Sequence, residues 1–142
     1  MNDPIVNVVA WWRSTGVSLN PPADDEELGA LARVIGGVVP SDLDRFYRLA
    51  NGMVECGMDD HEVSFWSIAR VLAENDVQAG ADDHGPYKDI AFADWMIESW
   101  RFYLRLQGGE VVAVFAEDGG PQAKSLSDFF RLYLAEPCPF PV

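Results

Sequence analysis

Two Asp-Asp-His triplets, Asp59-Asp60-His61 and Asp82-Asp83-His84, are the first places in this sequence to look for chemistry. Carboxylates beside an imidazole are the donors that hold a divalent metal and activate its water. Such a site needs ligands fixed on rigid elements and oriented by neighbours. Both triplets fall in stretches that read as loops, so the expectation is exposed loop residues. A small metal-dependent hydrolase built on them is the enzymatic alternative. Cys56, His61, His84 and Cys138 form a zinc set in residue type only, because their spacing fits no compact finger. Nucleophilic catalysis lacks a scaffold: there is no GxSxG elbow, and neither histidine is tied by a motif to a serine or cysteine. Glu55 and Asp59 flank Cys56 and disfavour its thiolate. Gly36-Gly37 and Gly119-Gly120 lack the Lys-Ser/Thr that a phosphate cradle requires. No pair among the 23 acids is singled out for glycoside hydrolysis. The sequence therefore assigns no catalytic residue, no metal and no cofactor, and the chain is expected not to be an enzyme.

Charge is more informative. The 142 residues carry 10 Lys and Arg against 23 Asp and Glu, a net −13. This excess opposes direct binding to nucleic acid or to an anionic membrane and favours a basic protein partner. It is also uneven. Residues 1–52 hold seven acids and four bases, residues 100–142 five and four, and residues 53–99 eleven and two. The central third thus contributes −9. The expected contacts there are Asp59, Asp60, Glu62, Asp82 and Asp83, in two loops that a compact unit would bring together. Charge of this kind raises the association rate and selects partners, while affinity comes from buried aromatic anchors. Trp11 and Trp66 are the candidate anchors, because each falls on the face opposite its apolar neighbours; of the two, Trp66 adjoins the acidic stretch.

The elements that must position these residues follow from spacing and punctuation. Asp3-Pro4 opens a helix whose Ile5, Val8, Val9 and Trp12 share one face. Asp24 to Glu27 begin a second, with Leu28, Leu31, Ala32 and Ile35 apolar and Gly36-Gly37 as its stop. Ser41 with Asp44 reads as a capping box for a third, which buries Leu43, Phe46, Tyr47 and Ala50 and stops at Asn51-Gly52. The period then changes to two. Val63 and Phe65 form a short strand, and Ser67 caps a brief helix containing Ile68, Val71 and Leu72. Residues 76–87 read as a loop. Ile90 and Phe92 mark a second strand. Trp100, Phe102, Leu104 and Leu106 alternate strictly with Arg101, Tyr103 and Arg105, and Gln107-Gly108-Gly109 turns this strand into Val111 to Phe115. A last helix opens at Ser125 or Ser127 and buries Leu126, Phe129, Phe130, Tyr133 and Leu134, ending before Pro137 and Pro139. Helices, then an antiparallel meander, then one helix make an α+β fold, with the N-terminal and C-terminal helices packed on an antiparallel sheet in a single domain spanning 1–142. The first residues lack a basic segment, and no apolar run approaches the ~18 residues of a membrane span. The expected location is cytoplasmic, with Cys56 and Cys138 reduced. The expected state is a monomer or weak homodimer.

Val39-Pro40-Ser41-Asp42-Leu43-Asp44-Arg45-Phe46-Tyr47, followed by Ala50-Asn51-Gly52, resembles the signature helix of the SUKH superfamily. That superfamily includes the Smi/Knr-type regulators of fungal cell-wall glucan synthesis and many bacterial toxin-immunity proteins. Val63-Ser64-Phe65-Trp66-Ser67-Ile68 is similar to its first strand running into a short helix. Ile90-Ala91-Phe92-Ala93-Asp94 is similar to its hydrophobic-x-F-A-D strand. Lys124 to Phe130 resembles its C-terminal S-F-x-x-F helix, with Ser125, Leu126 in place of the usual Phe, and Phe129. The four matches come in order and span residues 25–136. The resemblance implies a SUKH-like α+β domain without enzymatic activity or cofactor. It gives Pro40, Leu43, Phe46, Tyr47, Asn51, Gly52, Phe65, Phe92, Asp94, Ser125, Leu126 and Phe129 roles in the fold. It also implies an immunity protein that neutralises a cognate, basic, nuclease-type toxin. A regulatory scaffold of the Smi/Knr type is the other role the resemblance offers.

Overall fold

A computed structural model describes residues 3–55, 57–75, 87–97, 99–117 and 122–139. Asp82, Asp83, His84 and Cys56 lie outside the described residues, and with them the second acidic loop, the second triplet and the cysteine reading.

The first helix, α1 (Pro4–Ser14), starts as its sequence requires: the Asp3 carboxylate accepts from the Ile5 N–H at 3.0 Å, and Ile5, Val8, Val9 and Trp12 are buried. Helix α2 (Asp25–Ile35) is held by a reciprocal box between Asp24 and Glu27 and ends at Gly36 with φ +91°. Helix α3 (Ser41–Leu49) departs from expectation at both ends. Pro40 takes the cap position and no side chain caps it, so Ser41 and Asp44 form no box. Asp42 instead accepts from the backbone and hydroxyl of Ser127, at 3.2 and 2.7 Å, tying α3 to the last helix. At the other end the chain is already extended at Ala50, so Asn51-Gly52 is not the helix stop. It is a tertiary joint. Asn51 donates to Glu27 and accepts from the Ile68 N–H, both at 2.8 Å. Gly52, at φ +69°, runs so close to the next strand's exit that a Cβ would lie 2.4 Å from the Trp66 carbonyl oxygen.

Among the described residues, five strands form an antiparallel meander: β1 (Val63–Phe65), β2 (Tyr87–Trp95), β3 (Trp100–Gln107), β4 (Glu110–Ala116) and β5 (Gln122–Ala123). Strand β2 is longer than Ile90 and Phe92 alone suggest, with a register shift between Ala91 and Ala93, and β5 has no signal in the sequence. Beyond the short β1, the Asn75 amide pairs with both the N–H and the C=O of Ala91, at 2.9 and 2.7 Å, continuing the ladder with a side chain. Asn75 follows α4 (Ile68–Glu74), whose cap is Ser67 as expected. Helix α5 (Leu126–Tyr133) is capped by Ser125.

The helices cover one face of the sheet. Phe65, Phe92, Phe102 and Leu104 meet Trp12, Phe46, Phe129, Phe130 and Tyr133 in a continuous aromatic core. Burying that much aromatic surface is the main force holding helices to sheet. Arg101, Tyr103 and Arg105 turn the other way and are half-buried, as their alternation requires. Leu43, Tyr47 and Leu126 also lie in this core, and Asp94 is buried on β2. The α+β architecture expected from the sequence is therefore observed. No helix among the described residues is long and apolar enough to cross a membrane.

Candidate functional site

The loop that leads into β1 sorts the expected contact residues into two groups. Asp59 is buried, 5% exposed, and is not a surface contact. One carboxylate oxygen accepts from the Trp12 indole at 3.0 Å and the Tyr133 hydroxyl at 2.5 Å. The other accepts from the backbone N–H groups of His61 and Val63, at 2.9 and 3.2 Å. Four donors from α1, α5 and its own turn thus converge on one side chain. Burial pushes the Asp59 carboxyl above its ordinary value, against hydrogen bonds that pull it down. Burial, together with the neighbouring Asp59 charge, pushes the Tyr133 hydroxyl well up. The His61 ring packs on Tyr133 and Trp11, at 4.7 and 5.4 Å between centroids. Asp59 and His61 of the first triplet therefore form a structural joint, and among the described residues no three His, Cys, Asp or Glu side chains converge as metal ligands.

Trp66 is also corrected. It is 1% exposed and cannot serve as a surface anchor. Alternation does place it opposite Phe65, but that side is covered too. Its indole donates to Asp94 at 2.6 Å, and the guanidinium groups of Arg70 and Arg101 lie over its ring at 4.5 and 5.1 Å. Arg70 pairs with Asp94 at 3.1 Å, and Arg101 with Glu74 at 2.6 Å. Trp11, the other candidate, is half-buried against the core.

Asp60 and Glu62 remain exposed, as expected. Glu62 opens onto a cleft of about 280 Å³ that the sequence did not assemble. Glu55, Gly57 and Met58 line it from the preceding loop, Glu62 and Ser64 from the start of β1, Arg70 and Glu74 from α4, Asp94 from β2 and Ile97 from the β2–β3 turn. Four carboxylates face one guanidinium. The side chains of Glu55, Asp60 and Glu62 enter no ion pair among the described residues. Met58 and Ile97 add exposed apolar surface, 37% and 79% accessible. The cleft is at the small end of the ~300–1,000 Å³ range usual for ligand sites. Glu55 and Glu74 lie in the acidic third of the sequence. Nothing in the sequence marks Met58 or Ile97, which are single apolar residues in irregular stretches.

A wider groove of about 900 Å³ runs between Val38 and the Gly108-Gly109 turn. Of the three carboxylates on its wall, Asp42 and Asp44 are engaged by Ser127, Arg45 and Arg48, and Glu110 is exposed at the β3–β4 turn. No family model and no curated protein matches this chain.

Proposed function

We propose that this chain is a non-catalytic binding protein of SUKH type, an immunity protein that occludes a cognate, basic, nuclease-type toxin domain. The observation that carries the reading is a group of exposed carboxylates without ion pairs among the described residues, Glu55 and Glu62 on a cleft with an apolar lip and Asp60 in the same loop. A nuclease presents basic surface because its substrate is anionic, and an acidic protein seated there excludes that substrate. The resemblance of the sequence motifs to the SUKH superfamily supports the same reading. The partner is a protein, with neither nucleic acid nor membrane as a direct ligand, because net −13 repels both. The protein acts in the cytoplasm, before its partner reaches nucleic acid, and needs no cofactor.

Co-expression with candidate basic nuclease-type toxin domains, chosen from the genes that flank this one, tests the proposal. The expected result is rescue of growth, with a complex whose association rate falls as salt rises while dissociation changes little. Neutralising Glu55, Asp60 and Glu62 together to Gln, Asn and Gln should slow association. No rescue, or a complex indifferent to salt and to these changes, would overturn it. A stable complex with a non-toxin envelope or signalling protein would point instead to the regulatory scaffold.

A further inference from the structure

Three residues other than glycine have positive φ among the described residues: Glu62 at +65°, Met96 at +49° and Ile97 at +53°. All three meet at one place, where the Met96 N–H donates to the Glu62 carbonyl at 2.9 Å. The left-handed conformation is costly for side chains with a Cβ, and for a β-branched residue it is an outlier. The same sheet shows the inexpensive solution at its other hairpin, where Gly108 and Gly109 take φ +60° and +82°. The β2–β3 turn forgoes glycine and holds Met96 and Ile97 out in solvent, 44% and 79% accessible. At its base Trp95 and Trp100 stack at 4.2 Å, and their indole N–H groups are the two buried side-chain donors without an acceptor among the described residues. Strain, exposed apolar surface and unmet hydrogen bonds thus gather at one end of one hairpin. Such clustering is characteristic of a contact site that the rest of the fold holds in place.

We infer that Met96 and Ile97 form a docking knob, and that with the adjoining cleft they take a protein surface bearing an apolar recess ringed by Lys or Arg. This deepens the reading of a basic partner and rests on it. The knob supplies the buried apolar contact that carries affinity, the part first assigned to Trp66. Glu55 and Glu62 on the cleft, which enter no ion pair among the described residues, supply the complementary charge. Their placement beside Ile97 sets the chemistry of the occupant: a cationic side chain in the cleft with an apolar neighbour against the knob.

The test uses the full chain and a defined probe, the peptide acetyl-Leu-Arg-Leu-amide, followed by backbone amide shifts. The peptide should bind in the millimolar range, with shifts confined to the 57–64, 70–74 and 94–97 segments. Replacing its Arg by citrulline should weaken it. Ile97→Gly should raise Tm by about 3 °C through relief of the left-handed β-branched residue. The same variant should weaken the peptide by at least about fivefold. A variant that is more stable and binds less well separates docking from folding. Shifts scattered over the whole acidic surface, unchanged affinity in Ile97→Gly, or a lowered Tm would overturn the knob. Failed toxin rescue with the titration intact would remove the immunity role and leave the knob. Intact rescue with a failed titration would do the reverse.

Discussion

Asp59 and Glu62 stand three residues apart in one turn and belong to two different regions. Asp59 looks inward and holds α1, α5 and the start of β1 with four hydrogen bonds. Glu62 looks outward from a strained backbone, with no ion pair among the described residues, at the lip of a cleft. Around Asp59 the donors are met; around Glu62 there is exposed apolar surface, positive φ and, across the turn, two indole donors without an acceptor among the described residues. The contrast separates two uses of the same chemical group. A carboxylate surrounded by donors fixes a fold, and one surrounded by solvent and apolar surface is available to something else.

The largest effect that sharpens this contrast is on the inward side. Asp59→Asn keeps the shape but turns an NH2 group toward either the Trp12 indole or the two backbone N–H groups. Either choice sets donor against donor in a buried place. The expected loss is roughly 3 kcal/mol, measured by urea unfolding. Its pH dependence has a definite sign. Burial raises the folded-state value of Asp59, so the folded chain binds this proton more tightly than the unfolded chain does. Its contribution to stability therefore grows as pH falls through the folded value toward 3.8 and shrinks as pH rises. Asn has no such step, so the gap between wild type and variant should be wider near pH 4 than at pH 7. A gap that narrows on acidification would mean that the four hydrogen bonds outweigh burial.

A smaller effect tests the two hairpins against each other. Gly109→Ile installs at the β3–β4 turn what the β2–β3 turn already tolerates. It should lower stability by about 1–2 kcal/mol. If Gly109→Ile proved neutral, left-handed isoleucine would carry no penalty in this sheet, and the Met96-Ile97 turn would lose its distinction.

Most of the architecture was legible because its signals are local. Asp3 before Pro4, the acids from Asp24 to Glu27 that open α2, the alternation from Trp100 to Leu106 and the Gly108-Gly109 turn each act within a few residues, and each holds in the structure. The site was legible only in sign. Segment counting located the negative charge but could not tell Asp59 from Asp60 or Glu62, since an irregular turn has no period to assign faces. Trp66 shows the same gap. Strand alternation correctly put it opposite Phe65, but whether that face is open depends on Arg70 and Arg101, which arrive from other elements. Asn51-Gly52 reads locally as a helix stop, and only the approach of the Trp66 carbonyl shows why glycine is required. Ile97 carries an inverted signal: a turn position without a turn-forming residue.

The smallest expected effect completes the comparison on the outward side. Glu62→Gln removes one charge and leaves the side chain's length and shape. The Glu62 side chain enters no ion pair among the described residues, so no folded contact is lost and stability should stay within about 0.5 kcal/mol of wild type. The backbone strain at Glu62 is untouched by this change, which makes Glu62→Gly its natural companion. Glycine accepts φ +65° without a Cβ, so this variant should gain a few tenths of a kcal/mol to about 1 kcal/mol in urea unfolding. Read together, the two variants separate charge from conformation at one position. A loss above about 1 kcal/mol in Glu62→Gln would mean that the rim carboxylate helps hold the fold as Asp59 does, and the division between joint and rim would fail.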